Sequence, residues 1–398
     1  MSTSTQGARP AERPSTEAPS AAAPIPFFTG AESIRRGWAG LEARLREVAA
    51  AGRFTFGALG RELEERIAAL TGAKHAIAVG NGTDALIILL RAAGVGPGDE
   101  VIVPAYTFFA SASAVLHVGA EPVLVDVLPG SYAMDPAAAR AAVTERTKAI
   151  MPVHLFSQMA DMRTLRDLAD EHGLLLLEDS AEGIGMVMGG RHAGLWGSGG
   201  VLSFFPTKTL GALGDAGMVL TDDDAVAERA RRLRSHGQQV DGSYEYLELG
   251  YNSRLDEIQS AVLLTRLETL SADIERRAEL AARYDEGLAP LAPAVRIPFM
   301  AETAEPGNAV WYVYLIESDH RDELVDHLAA HGVGTEVYYP RPLTEQPALA
   351  HLPGAQHPVP VATAAARRAV GLPLYPDLTD DQVDRVCELV HRFHKEHA

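Results

Sequence analysis

A lysine stands just beyond an apolar, strand-like run in Ser203-Phe204-Phe205-Pro206-Thr207-Lys208-Thr209-Leu210-Gly211. An ammonium at the inner end of a buried strand is costly unless it is paired, neutralised or used covalently. Lysines that form Schiff bases occupy such places, because a desolvated amine gives up its proton and becomes a nucleophile. Upstream, Leu174-Leu175-Leu176-Leu177-Glu178-Asp179 is an apolar run that ends in two acids. That is the pattern of a buried parallel strand whose C-terminal end opens on a crevice, so Asp179 and Lys208 are expected to face one pocket. A lysine imine with a carboxylate able to pair a pyridinium nitrogen is the minimal apparatus for pyridoxal phosphate. A plain Lys–Asp ion pair would use the same two residues structurally.

A second chemical signal follows the strand-like Ala76-Ile77-Ala78-Val79, in Gly80-Asn81-Gly82-Thr83-Asp84-Ala85-Leu86. The glycines permit a tight strand-to-helix turn, and Thr83 adds a hydroxyl at a helix N-terminus, where the dipole favours an anion. Neither dinucleotide nor P-loop spacing is present, and a glycine turn that merely opens a helix would read the same way. Asn252, in Gly250-Tyr251-Asn252-Ser253-Arg254-Leu255-Asp256, precedes a long helical pattern and could serve only as its cap.

The elements that must position these residues alternate. Apolar strands at 76–79, 101–103, 122–126 and 149–153 each lead into a helical pattern, at 84–93, 109–118, 136–143 and 161–172. Such alternation predicts an α/β fold with a mostly parallel sheet, covered by helices on both sides, over about residues 75–220. Helical periodicity also marks 33–50, 58–70, 224–235 and a long stretch from Leu255 to Leu288. Val310–Leu315 reads as a strand, and 321–331 and 380–394 read as helices, which predicts a smaller α+β domain. The expected organisation is a tail over 1–24, a large domain over 25–255, and a linking helix with a small C-terminal domain over 256–398.

Composition narrows the class. At 398 residues and 47% hydrophobic content the chain is an ordinary globule too long for one simple core. No apolar run approaches the roughly 20 residues of a membrane span. Residues 1–24 are rich in Ala, Pro, Ser and Thr and lack the apolar core of a signal peptide, so a disordered tail and a cytoplasmic protein are expected. The single cysteine, Cys387, falls on an apolar-periodic helix and reads as a buried thiol. A net charge of −18 argues against nucleic acid or an anionic membrane as partner. The 14 histidines show no metal-ligand spacing.

Taken in order, the Asn81–Leu86 turn, Pro104-Ala105-Tyr106-Thr107-Phe108, Glu178-Asp179-Ser180-Ala181-Glu182, Ser203 to Lys208 with Gly214-Asp215-Ala216-Gly217, and Tyr251–Asp256 resemble the DegT/DnrJ/EryC1/StrS sugar aminotransferases. These are pyridoxal-phosphate enzymes of fold type I, and the similarity runs from about Phe27 to the C-terminus. The resemblance implies that Lys208 carries the cofactor, that Asp179 partners the pyridine nitrogen, and that Gly82, Thr83 and Ser203 hold the phosphate. It places Phe108 against the cofactor ring and gives Asn252 a reach to the phosphate of a neighbouring subunit, hence a homodimer with shared sites. Glu182 stands where many members have a glutamine beside the phenolic oxygen; a carboxylate there is repelled by a phenolate unless protonated or turned away. Ser157 replaces a common glycine in His154-Leu155-Phe156-Ser157-Gln158, a change expected at the pocket wall.

The implied activity is transfer of an amino group from glutamate or glutamine to a nucleotide-linked keto-deoxysugar in the making of deoxyaminosugars. A keto-cyclitol acceptor would share every motif. A sugar dehydratase of the same fold would replace the lysine with histidine, and a non-catalytic PLP-binding protein would not need the Lys208 and Asp179 pair. A diphosphate in so acidic a protein needs local cations, and Arg254 and Arg341, the latter in Tyr338-Tyr339-Pro340-Arg341-Pro342, are the candidates for the acceptor.

Overall fold

The computed structural model describes residues 23–239 and 243–397. The tail expected over 1–24 lies outside the described residues up to position 22.

The alternating region forms a seven-stranded sheet. In spatial order it runs β1 (His75–Val79), β9 (Gly217–Thr221), β8 (Gly199–Ser203), β5 (Leu175–Asp179), β4 (Thr147–Ile150), β2 (Glu100–Pro104) and β3 (Glu121–Val125). Only β9 runs antiparallel to its neighbours, so the C-terminal ends of the other strands emerge along one edge. In open α/β sheets that edge is where ligands bind. A two-stranded hairpin, β6 (Val187–Met188) with β7 (Arg191–His192), lies outside the sheet.

Both faces of the sheet are covered, and the two-residue period of the strands divides the core. Ile77 and Val79 of β1, Val201 of β8 and Val219 of β9 join one buried cluster with α3 (Gly82–Ala92), α4 (Phe109–His117) and α7 (Asp224–Leu233). Their neighbours Ala76, Ala78, Leu202 and Met218 join another with α1 (Ala31–Ala51), α2 (Ala58–Thr71) and α8 (Glu257–Leu267). At the other end of the sheet α5 (Pro136–Ala141) and α6 (Met162–His172) pack on Ile102, Val123 and Leu176. A three-stranded antiparallel sheet, β10 (Val295–Arg296), β11 (Tyr314–Ser318) and β12 (Ala369–Leu372), shares its core with α9 (Leu270–Leu288), α10 (Arg321–Ala330) and α12 (Asp380–Glu396). Helix α11 (Pro360–Arg368) turns Ala362, Ala365 and Ala366 into the cluster that holds α3 and α4.

Two expectations need correction. The stretch Leu255–Leu288 is not continuous: it breaks between α8 and α9 at Thr269, whose hydroxyl bonds the Asp273 carboxylate at 3.3 Å. A β-branched hydroxyl residue competes in this way with helical bonding. The strand expected at Val310–Leu315 begins only at Tyr314. Val310 N–H donates to Ser157 O (2.9 Å) and Tyr312 N–H to Phe156 O (2.8 Å), so the preceding residues are tied to the loop after β4 rather than to a strand.

A remote side chain caps one helix. Gly57, at the start of α2, has no capping side chain of its own. Glu257, buried at the start of α8, accepts from Gly57 N and Gly60 N at 2.8 and 3.0 Å through Oε1, and from Leu59 N at 3.0 Å through Oε2. A carboxylate on a helix N-terminus satisfies orphan donors and complements the dipole. Glu257→Ala should therefore cost about 2–3 kcal/mol of stability, read as a lowered urea midpoint, with Glu257→Gln losing less.

Candidate active site

The strand ends surround a cavity of about 670 Å³. Its floor comes from loops that follow β1 (Asn81, Gly82, Thr83), β2 (Thr107, Phe108), β4 (Val153, His154), β5 (Asp179, Glu182) and β8 (Ser203, Lys208). The sequence expectation that Asp179 and Lys208 face one pocket holds. Gly82, Thr83, Phe108, Glu182 and Ser203 line the same cavity, whereas Asn252, Arg254 and Arg341 do not. Asn252 and Arg341 are exposed. Arg254 donates to Asn252 Oδ1 at 2.7 Å and lies over the Phe56 ring.

The two acids that end β5 point apart, as alternation requires. Glu178 is fully buried and accepts from the backbone N–H groups of Gly194, Trp196 and Gly197. His154 receives the Ala160 N–H on Nδ1, so its Nε2 carries the proton and donates to Glu178 at 3.0 Å. Asp179 faces the cavity. Its Oδ2 accepts from Ser111 at 2.6 Å, Ser111 lies 3.1 Å from Thr107, and its Oδ1 accepts from Ala181 N at 3.2 Å.

Lys208 does not pair with Asp179. Its Nζ donates to Glu182 Oε1 at 2.8 Å and sits 4.3 Å from the centre of the Tyr312 ring. Burial alone would push the amine toward neutrality, but Glu182, Tyr312 and Asp179 outweigh it and hold the pKa above the ordinary lysine value. The expectation that desolvation alone frees this amine is therefore corrected. A single residue fixes both of its neighbours: Phe156 N–H donates to Glu182 Oε2 at 2.6 Å, and Phe156 O accepts from Tyr312 N. Phe156 does this at φ 66°, a left-handed conformation rare for an aromatic residue. Its ring is clamped against Tyr106, Tyr132 and Tyr338. Ser157, the departure noted in the sequence, is buried behind this wall and does not line the cavity.

Also on the cavity wall, Asn81 caps α3, its side chain accepting from Asp84 N at 2.8 Å. A Cβ on Gly82 would lie 2.9 Å from Ser203 Cβ, so only glycine admits this approach of the helix start to the end of β8. Over the cavity, Tyr338 and Tyr339 come from the segment between α10 and α11, and the Tyr106 hydroxyl donates to Tyr338 O. Among the described residues that line it, Lys208 is the single lysine or arginine, set against Asp179, Glu182, Asp215 and Glu336.

Sequence reasoning missed Ser111, Tyr312 and the bridging role of Phe156. Ser111 was legible in principle, lying one helical turn beyond Thr107. The other two depend on contacts between distant segments.

The chain is similar to known proteins over most of its length. Residues 39–391 match the DegT/DnrJ/EryC1/StrS aminotransferase family. A protein of Geobacillus stearothermophilus named as a pleiotropic regulatory protein is 44% identical over 89% of this chain and 94% of its own length. A UDP-N-acetyl-3-dehydro-alpha-D-glucosamine 3-aminotransferase of Acidithiobacillus ferrooxidans is 43% identical over 85% of this chain and 89% of its own. The solved structure of S. venezuelae DesV with a ketimine intermediate superposes with a TM-score of 0.88 at 40% identity, covering 93% of this chain and 98% of that one.

Among the described residues, the Ser111 hydroxyl is the one side-chain donor on Asp179. Ser111→Ala should leave a buried carboxylate oxygen short of a partner and cost about 1–3 kcal/mol, measured by urea unfolding of the cofactor-free protein.

Proposed function

The chain belongs to the DegT/DnrJ/EryC1/StrS aminotransferase family, and from that premise we propose that it transfers an amino group from glutamate or glutamine to the keto group of a nucleotide-linked deoxysugar, with pyridoxal phosphate as cofactor. The observation that carries this reading is the meeting of Lys208 and Asp179 in one cavity with the cradle of Gly82, Thr83 and Ser203.

The residues present fit that cofactor. The close approach at Gly82 leaves a small-walled notch in which N–H groups of the first turn of α3, the Thr83 hydroxyl and Ser203 can hold a phosphate. The same cavity holds an amine able to bond an aldehyde and a carboxylate able to hold a proton on a pyridine nitrogen. When bound, the cofactor supplies a ring that accepts the electron pair left on the donor's α-carbon. Asp179, oriented by Ser111, would hold the proton on the ring nitrogen. Phe108, which lines the cavity, would lie against the ring. Lys208, once its amine is free and neutral, would take the α-proton at Nζ and deliver it to the former aldehyde carbon of the cofactor. Tyr312 and Glu182 hold Nζ in place for this transfer.

The acceptor's diphosphate finds one cation among the lining residues. We assign the missing charge to Arg254 and Arg341, and Asn252 to the phosphate site of a second copy, so the working unit is a homodimer. Phe108 and Phe205 support this: both line the cavity, yet they are 59% and 50% exposed, an apolar area that a second copy would cover. The similarity to a UDP-sugar aminotransferase supports the nucleotide-linked acceptor. A purely regulatory reading, which the name of the Geobacillus relative would favour, leaves the meeting of Lys208 and Asp179 in one cavity without a purpose.

Glutamate or glutamine should shift the visible absorbance of the cofactor-loaded protein, and a panel of nucleotide keto-sugars should restore it with formation of an amino sugar detected by mass. Lys208→Ala should abolish both changes. Asp179→Asn should keep the cofactor and lose about a hundredfold to a thousandfold in rate. Mixing Lys208→Ala with an inactive Asn252 variant should recover activity, because one site of each heterodimer is then intact. Recovery absent despite subunit exchange would remove the shared site. Turnover confined to cyclitols would remove the nucleotide sugar.

A further inference from the structure

Lys208 poses a protonation problem that the proposed function does not solve. Its reading as a nucleophile needs a neutral amine, yet the geometry around Nζ favours the ammonium. Glu182 Oε1 lies 2.8 Å away and the face of the Tyr312 ring 4.3 Å away, and both stabilise a cation. Glu182 is buried and Lys208 partly so, with side-chain exposures of 5% and 16%. In so dry a place the charge on Lys208 and the charge on Glu182 stand or fall together, because either alone is strongly disfavoured.

We propose that Glu182 is the proton store of Lys208: an ion pair in the cofactor-free protein, and a protonated carboxyl once the amine has attacked. The step is one proton transfer along the existing hydrogen bond. An N–H bond of Nζ breaks, an O–H bond forms on Glu182 Oε1, and the amine keeps the electron pair with which it attacks a carbonyl carbon. While the amine works as a base Glu182 keeps this proton, and it returns when the site is empty again. This also answers the repulsion expected of a carboxylate beside the cofactor's phenolic oxygen, since the engaged state has no charge on Glu182. The proposal rests on the reading of Lys208 as the cofactor-binding lysine.

The other ionisable groups around Nζ are less well placed. Asp179, at the end of β5, is held by Ser111 and Ala181. Tyr312, Tyr338 and Tyr339 face the pair, and burial raises the phenols of Tyr338 and Tyr339, so they stay neutral. Asp215 and Glu336 line the cavity but are exposed, and His154 is spent on Glu178. Glu182 alone combines contact with Nζ and a fixed second oxygen, which accepts from Phe156 N at 2.6 Å.

The sequence makes the test clean, because it holds only four lysines, and Lys74, Lys148 and Lys395 are exposed. The full-length protein, stripped of cofactor, is pulsed with acetic anhydride from neutral to alkaline pH, and each lysine is quantified by peptide mass. In the wild type, Lys208 labelling should rise at higher pH than that of the exposed three. In Glu182→Gln, which keeps an acceptor for Phe156 N–H, the strongest opposition to burial is lost, with only Tyr312 and Asp179 left to favour the cation. Its midpoint should then fall below theirs, with at least about tenfold more label near neutrality. Lys74, paired with Asp224 at 2.7 Å, serves as the folding reference. If Glu182→Gln proves misfolded, Glu182→Asp should move the midpoint the same way by less. An unmoved midpoint in the folded variant, or an equal shift in Asp179→Asn, overturns the proposal. Borohydride fixation of added pyridoxal phosphate on Lys208 is measured in parallel. Its failure would sink the cofactor reading while the labelling still decides the role of Glu182.

Discussion

The site depends on making a buried ammonium tolerable. Lys208 must lie deep enough to exclude water, and a cation there needs compensation from fixed partners. Glu182 and Tyr312 supply it, and neither is near Lys208 in sequence. Each is in turn held by Phe156, through its N–H and its carbonyl. That left-handed residue, braced by three aromatic rings, is where the requirements of the charge become requirements on the backbone.

The sheet explains why these groups can meet. With β9 as the single reversed strand, the ends of β1, β2, β4, β5 and β8 open on one edge, and each contributes a short loop to the cavity. Residues that differ widely in number become neighbours because parallel strands share a direction. The alternation of β5 then sorts its two acids. Glu178 is consumed in anchoring the 194–197 backbone, and Asp179 is left to the cavity with Ser111 on one oxygen.

The same geometry gives the site an uneven charge. The cavity wall contributed by this chain is predominantly acidic, while the function proposed for it calls for a dianionic cofactor group and a diphosphate. Backbone N–H groups at the start of α3 answer the first need without any net charge. The second draws on cations beyond the lining of one chain, which makes the exposed apolar rim and the proposed second copy parts of one argument.

The sequence by itself determined the elements and the chemistry-bearing positions that lie at strand ends. Near-continuous apolar runs broken by glycine or acid marked β1, β5 and β8, and with them Gly82, Thr83, Asp179, Ser203 and Lys208, because local period and turn chemistry are written in adjacent residues. Tertiary structure alone decided which acid Lys208 meets, why Val310–Val313 leaves the strand, and where Asn252, Arg254 and Arg341 stand relative to the cavity. These depend on hydrogen bonds and burial between segments far apart in the chain. No periodicity records them, since a carboxylate three residues past a strand looks the same whether it faces water or a lysine.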